Sequence, residues 1–121
     1  VVAYNFKAQF ADLVERGEKR QTIRPRRKRP TRPGDALQHY TGMRTRKARK
    51  LRDAVCTAVE PFDLDDEPGR IVIRVNGEPL PPLQAQALAK ADGFETVSAF
   101  VAFFIDHYGL PFSREMEIIK W

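Results

Sequence analysis

Apolar and polar positions follow two periods along this chain, and the switches between them mark out its elements. Val1–Asn5 can open a strand. From Phe6 the apolar positions fall at Phe6, Phe10, Leu13 and Val14, the spacing of one helical face. Arg16 lies in the last turn of that helix, and Gly17 just beyond it is a usual stop. Residues 20–24 read as a short strand, because Thr22 and Ile23 are β-branched. The Pro-rich stretch from Pro25 to Pro33 excludes helix and central strand. Pro33-Gly34-Asp35 is a turn that launches a strand over Ala36–Tyr40. Thr41–Lys50 is expected to be irregular, Val55–Val59 a strand extending towards Phe62, and Asp63–Pro68 an acidic connection.

The second half is more regular. Arg70–Val75 alternates, with Ile71, Ile73 and Val75 on one face, and Asn76-Gly77 is a hairpin signal. Pro81-Pro82 opens a helix that runs to about Ala91 with Leu83, Ala87 and Leu88 inward. Asp92-Gly93 ends it. Thr96 caps another helix, whose inward stripe is Val97, Phe100, Val101, Phe104 and Tyr108. This aromatic stripe reads as core packing rather than a base-stacking platform. Gly109 closes the helix, Pro111 prevents its resumption, and Glu115–Trp121 is a terminal strand. The order of elements predicts an α+β fold with a mostly β core. A length of 121 residues suits a single domain over 1–121.

Composition narrows the class. With 42% hydrophobic residues the chain holds enough apolar mass for a compact core, which excludes a disordered one. No run of eighteen apolar residues exists, so no membrane span or membrane partner is expected. No basic stretch followed by an apolar h-region opens the chain, so the expected compartment is the cytoplasm. Cys56 is the one cysteine and cannot form an intrachain disulfide. With two histidines it falls short of a Cys-based zinc site, and neither metal nor cofactor is expected.

The charge distribution changes the picture most. Residues 16–52 hold fifteen of the twenty-one Lys and Arg and only two acids, Glu18 and Asp35, so the segment carries +13 against −8 elsewhere. Such asymmetry points to a polyanionic partner. Lys and Arg that neutralise phosphates release counterions, which drives binding without sequence preference. The candidate phosphate contacts are Arg20, Arg24, Arg26, Arg27, Lys28, Arg29, Arg44, Arg46 and Lys47, most of them in a basic loop region over 25–52. Arg outnumbers Lys there, which suits bidentate phosphate contact. An acidic protein partner is the alternative.

Candidate chemistry sits between Gly17 and Arg24. Strand alternation puts Thr22 and Arg24 on one face and Ile23 on the other, in the core. Lys19 would point away from Thr22 in a continuous strand. It joins the same cleft only from the turn after Gly17, before pleating begins. An amine, a hydroxyl and a guanidinium in one cleft can bind an anion. They can also run nucleophilic chemistry, with Thr22 attacking and a partly neutral Lys19 taking its proton. A plain exposed basic turn is the third reading. Asp92 is either part of an Asp-Gly turn or a carboxylate paired with Lys19 and Arg24 across the fold; at a helix C-terminus it faces the negative end of the macrodipole. His39 and His107 read as surface or helix residues rather than catalysts. No Ser/His/Asp arrangement and no phosphate-binding GxxxxGK[ST] motif is present.

Taken together, these residues resemble the ASCH domain, a relative of the PUA domains of RNA-modifying proteins. The resemblance rests on Gly17-x-Lys19-x-x-Thr22-x-Arg24 after the first helix and on Pro33-Gly34-Asp35 before a strand. It rests also on Tyr40-Thr41-Gly42-Met43-Arg44 after that strand, Asp92-Gly93-Phe94 before the last helix, and Ile118-Ile119-Lys120-Trp121. The basic, stand-alone form is similar to versions found in bacteria and their phages. The resemblance implies a small PUA-like β-barrel with flanking helices, a cleft between barrel and helix, and an RNA- or nucleotide-related function. Some compact members are amidohydrolases that deacetylate 4-acetylcytidine with a Lys, a Thr and a Glu, while others are described as ribonucleases. Lys19 and Thr22 match the first two by motif, and Asp92 falls at the Glu position. Asp is one methylene shorter, about 1.5 Å of reach, and a misplacement of about 1 Å can cost on the order of a hundredfold in rate. The expected function is an RNA- or nucleotide-binding module, with deacetylation by Thr22, Lys19 and Asp92 as one alternative and ribonuclease activity as another.

Overall fold

The computed structural model describes residues 1–121. Alternation of buried Tyr4 and Phe6 with exposed Ala3 and Asn5 makes β1 (Val2–Phe6), and Phe6 belongs to this strand rather than to the helix. The helix α1 (Ala8–Glu15) buries Phe10, Ala11 and Val14. Then come β2 (Gln21–Pro25), β3 (Ala36–Thr41), β4 (Arg49–Val55), β5 (Ala58–Glu67), β6 (Arg70–Val75) and β7 (Glu78–Pro79). The helices α2 (Pro82–Ala91) and α3 (Val97–Tyr108) precede β8 (Met116–Lys120). Thr96 caps α3, its hydroxyl accepting from the Ala99 amide at 3.1 Å. No helix is long and apolar enough to cross a membrane.

The fold is α+β, but the ladders do not close into one barrel. They form two sheets, β1-β3-β4 and β2-β8-β5-β6-β7, with β1 and β3 parallel. The chain passes from one sheet to the other at Cys56-Thr57. Cys56 N–H bonds to the Asp35 carbonyl at 2.9 Å, and Thr57 N–H to Lys120 at 2.8 Å. This crossing breaks the strand expected over Val55–Val59. The 41–50 segment is irregular only up to Ala48, since β4 starts at Arg49.

The acidic connection expected at Asp63–Pro68 is instead the far half of β5. Its alternation is legible in retrospect: Phe62 and Leu64 are buried, and Asp63 and Asp65 point the other way. The acids find complementary charge across the ladder, where Arg74 pairs with Asp65 at 2.5 Å and Glu67 at 3.2 Å. In α2 the buried positions are Ala85 and Ala89, while Leu83 is 79% exposed and Leu88 half-buried, so the inward face is rotated from the one expected.

The buried side chains form two cores. Phe6, Phe10, Val14, Leu37 and Trp121 centre one, and Ile23, Phe62, Phe100, Phe104 and Ile118 the other. Phe94 and Phe103 pack against both. β8 is hydrogen-bonded on both sides, to β2 and β5, and each of its faces is covered by a different core, Ile119 packing in the first and Ile118 in the second.

Candidate functional site

A cavity of about 260 Å³ opens where the two sheets, α1 and α3 meet. It is built from the turn after α1. Gly17 adopts φ +77°, and the amides of Glu18 and Lys19 both bond to the Leu13 carbonyl, at 2.9 and 3.0 Å. Lys19 therefore lies in the turn, ahead of the pleat, and its side chain enters the cavity. There Nζ donates to the Asp92 carbonyl oxygen at 2.6 Å and to Asp92 Oδ1 at 3.1 Å. Both residues are 3% exposed.

Asp92 is the C-cap of α2, so its carboxylate stands at the negative end of that helix. Lys19 offsets this in two ways, by supplying a donor to an orphan carbonyl of the helix end and a counter-charge to the carboxylate. Gln21 Nε2 donates to the same Oδ1 at 3.2 Å. Asp92 Oδ2 makes no hydrogen bond, and it is not among the buried unpartnered atoms, which belong to His39 and Trp121. One carboxylate oxygen is thus anchored and the other left free. Gly93, at φ +96°, brings this corner against α1, where an added Cβ would come within 3.0 Å of Phe10.

Thr22 and Arg24 share a face, as alternation requires. Arg24 Nε donates to Thr22 Oγ1 at 2.9 Å, and Nη2 crosses from β2 to the Asn5 carbonyl of β1 at 2.5 Å. Its guanidinium lies 5.0 Å from the Phe6 ring centre and 5.4 Å from that of Tyr4. The cavity thus brings Lys19, Thr22, Arg24 and Asp92 together. No hydrogen bond joins Lys19 to Thr22: the amine is committed to Asp92 and the hydroxyl to Arg24.

Burial sets the protonation balance. It pulls the Lys19 amine down, against the attraction of Asp92. It pushes the Asp92 carboxyl up, against Lys19 and Gln21. Both shifts favour the uncharged forms of the pair. Tyr108, half-buried on the cavity wall, has its phenol pushed up by burial. Its hydroxyl makes no hydrogen bond with the protein.

The remaining wall comes from residues that pattern alone assigned to the core or the surface. Phe103, Phe104, His107 and Tyr108 of α3 and Asn5 of β1 all line the cavity. Lys7 lies 5.1 Å from the Phe103 ring centre, and His107 stacks on Phe103 at 5.6 Å. Gln21, the first residue of β2, also reaches Asp92 and carries no signal in the sequence pattern. His39 is a correction. Expected near the surface, it is fully buried, with its ring 5.2 Å from Phe6 and 4.1 Å from Trp121. It shares a strand face with Leu37, and that spacing carries the signal. Burial, then Arg24 and Arg52, lower its pKa to about 4.

The basic residues divide. Arg26, Arg27, Lys28, Arg29, Arg44, Arg46 and Lys47 are exposed, and among them only Arg26 has a carboxylate partner, Glu115 at 3.1 Å. The loop over 42–48 is tied to the cavity wall, because the Met43 amide donates to Asn5 Oδ1 at 2.9 Å. The preceding loop passes Tyr4, whose hydroxyl is 2.7 Å from Thr31 Oγ1. Arg20 turns away from the cavity, and its Nε donates to the Trp121 carbonyl at 3.2 Å.

Comparison with models of known protein families, with curated proteins and with solved structures returned no match.

Proposed function

We propose that this chain is a cytoplasmic RNA- or nucleotide-binding domain of the ASCH, PUA-like type. The observation that carries the proposal is the Lys19–Asp92 cavity, walled by aromatic rings, with the basic 42–48 loop hydrogen-bonded to its rim. A volume of about 260 Å³ suits one nucleoside rather than a duplex. Ring faces at Phe103, His107 and Tyr108 offer stacking, and the free Asp92 Oδ2 and the Tyr108 hydroxyl offer polar contacts to a base edge. The unpaired Arg and Lys of the two loops supply phosphate contacts. Titration of a fluorescent single-stranded RNA at increasing salt tests this. Affinity should fall by several logs per log of salt, and a flat response or no binding at low salt overturns it.

One observation favours deacetylation as a second reading. Burial drives the Lys19 amine towards its neutral form within the cavity that holds the Thr22 hydroxyl. In that reading Lys19 leaves Asp92 to take the Thr22 proton, and Oγ attacks the acetyl carbonyl. Arg24 stabilises the oxyanion, and the freed amino group of the nucleoside leaves with a proton. Water then hydrolyses the acetyl-Thr22 ester. The test is release of cytidine from 4-acetylcytidine by wild type and by Thr22→Ala. Equal turnover removes the reading.

A further inference from the structure

A second hollow, of about 410 Å³, shares no residue with the Lys19 cavity. The chain direction explains the separation: Lys19 is buried inward, and Arg20 beside it is exposed on the other side. Three arginines from three places in the fold line it: Arg16 after α1, Arg20 before β2 and Arg52 in β4.

The Arg52 side chain makes no hydrogen bond or ion pair with the protein. Its guanidinium lies over Gly17, where an added Cβ would collide with Nη1, so the glycine leaves its berth open. Arg20 engages Nε with the Trp121 carbonyl and keeps its terminal N–H groups free. Arg16 shares its guanidinium with Glu18. The one carboxylate lining the hollow, Asp53, is already paired with Lys50 at 2.7 Å. Thr57 also lines it, and its hydroxyl makes no hydrogen bond with the protein.

Arg20 and Arg52 have no carboxylate partner; two such like charges beside one concavity repel each other, and an anion between them offsets that repulsion. Planar forks match pairs of phosphate oxygens, and the free donors of Arg20 and Arg52 arrive from two different elements, which suits a tetrahedral anion better than a flat carboxylate. We propose that the Arg16–Arg20–Arg52 hollow is a phosphate-binding site, separate from the cavity of Lys19 and Asp92. The phosphate is either a terminal monoester or a diester within a nucleic-acid strand. The proposal does not depend on what the Lys19 cavity holds.

Nuclear magnetic resonance of the full chain tests it. Inorganic phosphate should shift the amide signals of Gly17, Arg20 and Thr57 and the Arg52 Nε signal. Arg52→Gln should weaken those responses about tenfold or more. Arg52→Lys, which keeps the charge and loses the fork, should recover part of the loss. Short single-stranded RNAs with a 5′-phosphate or a 5′-hydroxyl separate the two sources. Dependence on the end group identifies a monoester, and equal shifts identify a diester. Shifts confined to the 26–32 and 42–48 loops, or unchanged by Arg52→Gln, overturn the proposal. Arg52 is exposed, so its replacement leaves the core intact.

Discussion

Lys19 holds Asp92 by two atoms at once, the helix-end carbonyl and the side-chain carboxylate, across 73 residues of sequence. Removing one partner of a buried ion pair strands the other, at a cost of roughly 3–5 kcal/mol. Lys19→Met and Asp92→Asn should each lower stability to urea substantially. The double variant should lose less than the sum, because neither residue is then left charged and alone. Strict additivity would show that the pair is not coupled.

His39 gives the fold a pH dependence whose sign follows from burial. Its folded pKa is near 4 against an ordinary 6.5, so the unfolded chain takes up a proton first. This contribution to stability is complete above pH 6.5 and is lost as pH falls to about 4. The full loss is roughly 3 kcal/mol. His39→Leu removes two unpartnered buried nitrogens and should flatten that part of the pH profile. Denaturant midpoints between pH 4 and 7 check it, and identical profiles would refute it.

The loop bound to Asn5 should set salt sensitivity. Replacing Arg44, Arg46 and Lys47 together by Gln should lower the log–log salt slope of single-stranded RNA binding by about 2, at roughly 0.7 per lost phosphate contact. Circular dichroism should stay unchanged, since these side chains are exposed and unpaired. An unaltered slope would remove this loop from the interface.

Gly93 is required twice over, by its φ of +96° and by its closeness to Phe10. Gly93→Ala should cost roughly 1–3 kcal/mol. It should also displace Asp92 from Lys19, so RNA affinity should fall along with stability. Loss of stability with full affinity would separate the corner from the site.

The sequence revealed most where a local cause was sufficient. The Asn76-Gly77 hairpin and the Thr96 cap each depend on neighbours in the chain, and each occurs as read; in β6, Ile71, Ile73 and Val75 share the second core as read, but Val72 on the other face is buried as well. The condition that let Lys19 join Thr22 and Arg24, a turn after Gly17, was legible in the same way. What escaped was decided by distant partners. β5 keeps its acids extended because β6 offers Arg74 across the ladder, and the face that α2 turns inward depends on its packing against α3. His39 is buried because of packing from Phe6 and Trp121, which polarity conceals. The dual role of α3 was hidden for a similar reason, since its aromatic residues serve both the core and the cavity wall.

The bond from Arg24 to the Asn5 carbonyl has a consequence for motion. It spans a seam where one sheet ends and the other begins, with no ladder between β1 and β2. An anion that drew the guanidinium towards itself would unfasten that stitch. Occupancy of the cavity and the closeness of β1 to β2 would then be thermodynamically linked, each altering the other by the same free energy.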